Sequence, residues 1–300
     1  MEIEISTSIA GLLRSVPLAE ALDTVAAAGY CNVDFPFSVF SRPADSPLKS
    51  DRWEYWTQDL GHDLEARGLR VTQAHASWEQ AIAQDFSYES PYDVYARTIR
   101  ACRMLGCGKL VFHAPLYFFH PEDPTVRERA LDWNIRWFRE LLPILEDNGV
   151  TAELENTFDY RHLRKPQDPP FLYTDADRML ELLEGIDSPW VKLCLDTGHA
   201  NIAGNDPARM IRAYGKRLDV LHLNDNLGFI DPIYEDLHLF PGHGTVRWQE
   251  VFQALYETGF SYVFNMEPVG ALARLSQEAR VLQFRAAGQL VTQMAKEAGF

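Results

Sequence analysis

Cysteine is scarce and scattered in this chain: Cys31, Cys102, Cys107 and Cys194 form neither a CxxC pair nor a zinc-finger spacing. That excludes a disulfide framework or a structural zinc knuckle as the organising feature and leaves four reduced, mostly buried thiols. Long apolar runs are missing too. No stretch approaches the ~18 uncharged apolar residues of a membrane span, so no membrane is expected as a partner. Basic residues are few, 28 Lys and Arg against 43 Asp and Glu, for a net charge of −15. Such a balance repels phosphate backbones and argues against nucleic acid as a partner. The first segment, MEIEISTSIAG, has acidic residues where a signal peptide carries basic ones, and the cytoplasm is the expected compartment. No GxGxxG follows the first apolar run and there is no Walker loop, which sets aside a dinucleotide-binding open sheet.

What is present is an ordinary globular composition, 46% hydrophobic and 24% charged. Its 300 residues match one α/β barrel of roughly 250 residues with long loops. Short runs rich in Val, Ile, Leu and Phe alternate with longer helical patterns, eight times over. Strands are expected at 3–9, 33–37, 70–77, 109–114, 150–157, 191–197, 219–225 and 262–268. Between them lie amphipathic stretches such as LAEALDTVAAAG, YDVYARTIRACRMLG and WQEVFQALYETG. Gly29, Gly68, Gly149 and Gly259 stand where a left-handed cap would end a helix before the next strand. Regular βα alternation implies a parallel sheet, and eight units favour closure. The expected fold is therefore an α/β, single-domain (β/α)8 TIM barrel over residues 1–300. Three long loops, LYFFHPEDP, FDYRHLRKPQDPPFLY and NLGFIDPIYEDLHLFPGHGTVR, follow strand ends, where barrel enzymes build their sites.

From the third strand onward, most expected strands finish with a residue able to bind metal: His75, His113, Glu155, Asp196, His222 and Glu267. A lone histidine at a strand end is more often structural, and a lone carboxylate is usually solvated or a helix cap. The conjunction is different. A closed parallel barrel brings these strand ends to one mouth, where crowded carboxylates repel unless a cation sits among them. Glu155, Asp196, His222 and Glu267 form the expected inner set. Mixed imidazole and carboxylate suits one divalent ion (Mn2+, Co2+, Zn2+ or Mg2+) with positions left open for substrate oxygens. Strand alternation also turns Glu153 into the barrel beside Glu155, so an ion pair with Lys192 or Lys109 is expected there.

The segments LENT, CLDTGHAN, LHLNDN, DLHLFPGHGTVRW and MEP resemble the xylose-isomerase-like barrel superfamily of sugar isomerases and epimerases. That superfamily includes D-tagatose 3-epimerase-type, inosose-processing and endonuclease IV-type members, and the resemblance runs from the first strand to the last helix. It implies that Glu155, Asp196, His222 and Glu267 hold the metal and that His199, three residues beyond Asp196, contacts substrate. His75, His113, Asp236, His238 and Asn156 complete the expected substrate-binding shell. In the endonuclease branch the counterparts of Asp236 and His238 bind extra zinc, and with His75 and His113 a trinuclear site could be filled. One departure stands out: epimerase-type members carry a substrate-contacting Arg six residues after the seventh-strand His, where this chain has Gly228. The resemblance also implies a homodimer or homotetramer.

The reaction expected is isomerisation or epimerisation of a keto-sugar or polyol derivative through an enediolate. Glu155 and Glu267 would move the proton from opposite sides of the sugar. RHLRK, Arg161 to Lys165, reads equally as a solvated loop or a phosphate clamp, and an unphosphorylated sugar is preferred. Two alternatives share the metal: a lyase or dehydratase acting on a keto-sugar or 3-keto-glycoside, and an endonuclease IV-like trinuclear zinc phosphodiesterase. A non-catalytic metal- or sugar-binding barrel is a further rival.

Overall fold

Eight parallel strands line up in chain order: β1 (Ile5–Ser8), β2 (Asn32–Pro36), β3 (Arg70–His75), β4 (Lys109–His113), β5 (Thr151–Glu155), β6 (Val191–Asp196), β7 (Leu218–His222) and β8 (Phe264–Met266). β8 pairs with β1, and Leu223, just beyond β7, closes the ring against β8. Its N–H donates to Asn265 O at 2.8 Å and its carbonyl accepts from the Glu267 N–H at 3.1 Å. The result is a (β/α)8 TIM barrel whose last seam is a single bridge rather than a full ladder. The computed structural model describes residues 3–41, 45–77, 92–115, 125–158, 172–228, 236–269 and 272–300. Segments 116–124, 159–171 and 229–235 of the long aromatic loops, with the RHLRK cluster, lie outside them.

Helices return the chain between successive strands because each buries one apolar stripe on the barrel and shows the other face to water. Local chemistry sets their ends. Asp206 accepts from Ala208 N at 2.9 Å with Pro207 opening helix Pro207–Tyr214, and Gly29 caps helix Leu18–Ala28 at φ 99°. Three short helices that periodicity did not reveal, Ala10–Leu13, Phe37–Ser41 and Thr197–Ile202, start at strand ends. Among the described residues no helix is long and apolar enough to cross a membrane.

The barrel interior is layered. Val111, Cys194 and Val220 form a small apolar plate across β4, β6 and β7. Beside it lies a charged cluster, where Glu153, the register partner of Val111, is fully buried and Lys109 Nζ is 3.7 Å from its Oε1. Lys109 also pairs with Asp219, and the Thr151 hydroxyl donates to Glu153. Lys192 is the register partner of Glu153, yet it is Lys109 that reaches the carboxyl. Burial, with Asp219 adding to it and Lys109 opposing, pushes the Glu153 carboxyl up to about 8.

The folded chain thus keeps a proton on Glu153 that the unfolded chain releases near its ordinary value of 4.5. Linkage gives stability that is complete below that value and declines as pH rises toward about 8. Glu153→Gln should flatten the decline in thermal midpoint between pH about 5 and about 8. Parallel melting profiles for both proteins would contradict a raised Glu153.

Candidate metal centre

One ligand atom each from Glu155, Asp196, His222 and Glu267 lies within 4.8 Å of the other three, and all four side chains are buried. The first three are the last residues of β5, β6 and β7, and Glu267 follows β8 directly. Parallel pairing carries consecutive strand ends to one rim, so register alone makes neighbours of residues far apart in sequence. The four residues singled out from the sequence are the four that converge.

Histidines separate the acids. Glu155 Oε1 lies 2.8 Å from His222 Nδ1, while its Oε2 meets His113 Nε2 at 2.8 Å and His75 Nε2 at 3.2 Å. His222 Nδ1 is also 3.1 Å from Glu267 Oε2. Beside this set, Asp236 Oδ2 sits 2.8 Å from His238 Nε2 and 3.5 Å from His199 Nε2. The electrostatics follow from these contacts. Burial drives the Glu155 carboxyl up, but His222 and His113 outweigh it and hold the group well below the carboxylate range. The same competition, led by burial and reversed by His222, brings Glu267 to about 2. Asp196 goes the other way, raised to about 6 because burial exceeds the pull of His199 and His238. Burial lowers His199, yet Asp196 and Asp236 raise it to about 9, and His222 is likewise held high by the acids around it. His113 remains lowered, with burial dominant over Glu155.

Side chains behind the rim orient it. Asp196 caps helix Thr197–Ile202, its Oδ1 accepting from His199 N at 2.6 Å, and Oδ2 accepts from Asn224 Nδ2 at 2.6 Å. Gly198 permits that approach, since a Cβ there would stand 1.8 Å from Asn224 Oδ1. Asn156, expected to meet substrate, has both ends of its amide on the Asp196 backbone, donating to O at 3.0 Å and accepting from N at 2.8 Å. It extends the sheet beyond β5 instead of facing the mouth. Asp225 accepts four N–H groups, from Asn226, Val246, Gly242 and the Trp248 indole, and so ties the segment bearing Asp236 and His238 to the rim. His238 holds φ at 42°, a strained value for a non-glycine residue. Asn224 and Asp225 sit inside LHLNDN, the motif already conspicuous in the sequence, whereas Asp34, 3.1 Å from His222 Nε2, carried no such signal.

Glu155 and Glu267, expected to flank the substrate, each bring one carboxylate oxygen to within 4.8 Å of the other. The carboxylates are not bare like charges, for imidazoles alternate with them. Among the described residues no Lys or Arg pairs with the four. The donor set of three carboxylates and one imidazole, small, buried and without a competing fixed cation, fits a divalent ion. Three further groups, His75–His113–Glu155, His75–His222–Glu267 and Asp196–His199–His238, share members with it.

The chain is 30% identical over 160 residues to a D-psicose 3-epimerase of Enterocloster bolteae, covering 51% of this chain and 46% of that one. It is 26% identical over 170 residues to an inosose isomerase of Bacillus subtilis, with 56% of each covered. The chain thus spans about half the length of the curated relatives it matches. The crystal structure of an IolI protein with a bound zinc atom superposes with a TM-score of 0.74 at 19% identity, covering 99% of each chain. The profile of the xylose isomerase-like TIM barrel matches residues 22–284, and the chain belongs to that family.

Proposed function

We propose that this protein is a divalent-metal-dependent isomerase or epimerase of an unphosphorylated keto-sugar or polyol derivative, the whole of residues 1–300 acting as one barrel domain. The observation that carries the reading is the buried cluster of Glu155, Asp196, His222 and Glu267 at the strand C-termini. Kinship with a D-psicose 3-epimerase and an inosose isomerase supports the substrate class. Those four residues would hold the ion. When bound, a divalent cation supplies positive charge beside oxygens on which negative charge develops as a neighbouring C–H proton leaves.

The chain's own residues move the proton. Glu155 and Glu267 are both ionised at neutral pH, as a base must be. Glu267 is 8% exposed against 1% for Glu155, so it stands nearer the mouth. His199, protonated at neutral pH, donates to a substrate oxygen, and the ring of Phe158, 4.9 Å from it, offers an apolar wall. His75, His113, Asp236 and His238 complete the polar lining. Gly228 leaves no side chain where epimerase-type relatives place Arg, so the far end of the sugar is recognised differently.

Three expected outcomes follow from this assignment. Metal analysis should find bound divalent cation, and adding one to stripped protein should raise its thermal midpoint; neither effect appearing would end the reading. Cation uptake must displace the proton held on His222 and needs Asp196 ionised, so affinity should fall as pH is lowered, first through the raised His222 and then further as Asp196 takes up its proton at about 6. Calorimetry in buffers of different ionisation enthalpy should therefore register released protons. Glu155→Gln and Glu267→Gln should each cut substrate–solvent hydrogen exchange by about 10²–10⁴-fold while binding stays measurable. The screen is deuterium uptake from solvent by ketoses and 3-keto-glycosides, and exchange surviving in both variants would remove the pair as bases. Elimination products in that screen would identify the dehydratase or lyase.

A second reading is favoured by the two overlapping groups around His113 and His238. They give room for more than one ion, as a trinuclear zinc phosphodiesterase requires. Three zinc ions per chain together with nicking of an abasic duplex would establish it in place of the sugar enzyme.

A further inference from the structure

We propose that Asp34, on β2, is a positioning residue that accepts the Nε2 proton of His222 and so leaves Nδ1 free to ligate a divalent cation. The inference rests on the metal reading above and deepens it. Neutral imidazole has one N–H and one lone pair, and which nitrogen carries the proton is set by what the other side of the ring meets. His222 Nδ1 is the nitrogen in the cluster, 2.8 Å from Glu155 Oε1 and 3.1 Å from Glu267 Oε2. A ligand lone pair there requires the proton on Nε2. On that side Asp34 Oδ2 lies at 3.1 Å. The approach is close but off the N–H direction, and Nε2 makes no aligned hydrogen bond. A small turn of the ring in its own plane converts it to one.

Asp34 is built for the task. It is fully buried, and among the described residues no Lys or Arg pairs with it. A buried carboxylate is tolerable only where donors or a cation face it. Gln73 Nε2 from β3 and Asn265 Nδ2 from β8 each donate to Oδ2 at 3.2 Å, fixing its direction, while Oδ1 has no partner. Gln73 is itself anchored to Leu221 O at 3.3 Å, next to His222. Four strands thus meet on one carboxylate just beneath the ligand set. A carboxylate behind a metal-bound imidazole orients the ring and raises its basicity.

The test compares wild type with Asp34→Asn and Asp34→Ala by calorimetric titration with Zn2+ and Co2+, and by imidazole 15N spectra of the Zn2+-loaded proteins. Thermal midpoints of the metal-free forms check folding. Asp34→Ala should bind about 10–100-fold more weakly, and Asp34→Asn, which keeps an acceptor oxygen, should fall between. Wild-type His222 should show its proton on Nε2, and Asp34→Ala should lose the hydrogen-bonded signature of that proton. Unchanged affinity and an unchanged His222 signal in both folded variants would overturn the proposal, as would wild type loaded with the proton on Nδ1. If Asp34→Ala fails to fold, the wild-type spectrum and the Asp34→Asn titration decide. Wild type that takes up no divalent cation would overturn the metal reading and this one with it, whereas uptake by all three with equal affinity and the same His222 signal overturns this one alone.

Discussion

The constraint on which this site depends is that a buried carboxylate must have its charge answered locally. Glu155 shows it most clearly, with His75, His113 and His222 all within 3.2 Å of its two oxygens. Desolvation by itself would keep such a group protonated, and only the surrounding imidazoles reverse that. Because the rings stand on β3, β4 and β7, answering one charge fixes the relative position of four strand ends. The barrel supplies convergence, and the charge pairing supplies the ångström-level placement that convergence alone leaves loose.

That placement reaches outward through backbone as much as side chains. Asp196 is held at its main chain by Asn156, at one oxygen by the N–H of His199 and at the other by Asn224. It can neither rotate nor withdraw without breaking a buried hydrogen bond. Asp225 does the equivalent for the segment that brings in Asp236 and His238, by accepting four N–H donors. The strained backbone at His238 persists because that clamp fixes the chain on one side and Glu267 O accepts the ring Nδ1 proton at 3.1 Å on the other.

Much of the fold was legible because barrel strands and helices differ so plainly in period, and every expected strand contains or overlaps an observed one. Strand ends were legible as a site for a topological reason: in a closed parallel barrel, being last in a strand means being at the mouth. What could not be read were facts of direction and distance. Alternation turned Glu153 inward but could not choose Lys109 over Lys192, since register and side-chain reach point to different partners. Nor could it show that Asn156 folds back on Asp196. Asp34 was invisible for the same reason. An acid in the middle of a strand looks like an inward polar residue until the histidine opposite is located.

The layering inside the barrel gives these contacts their leverage. Val111, Cys194 and Val220 pack together in the barrel interior beside the Lys109–Glu153–Asp219 cluster, Val111 being the register partner of Glu153 and Cys194 that of Glu155. Opposite the plate, on the β2, β3 and β8 side, the polar trio Asp34, Gln73 and Asn265 takes its place. The interior beside the site is therefore asymmetric, apolar at Cys194 next to Glu155 and hydrogen-bonding at Asp34 next to His222. An ion held by the four ligands would meet buried carboxylates and one imidazole whose far nitrogen has a carboxylate oxygen 3.1 Å away. In His222 the Nε2 side faces that buried carboxylate and the Nδ1 side faces the cluster, so its surroundings favour the tautomer whose lone pair points to the mouth.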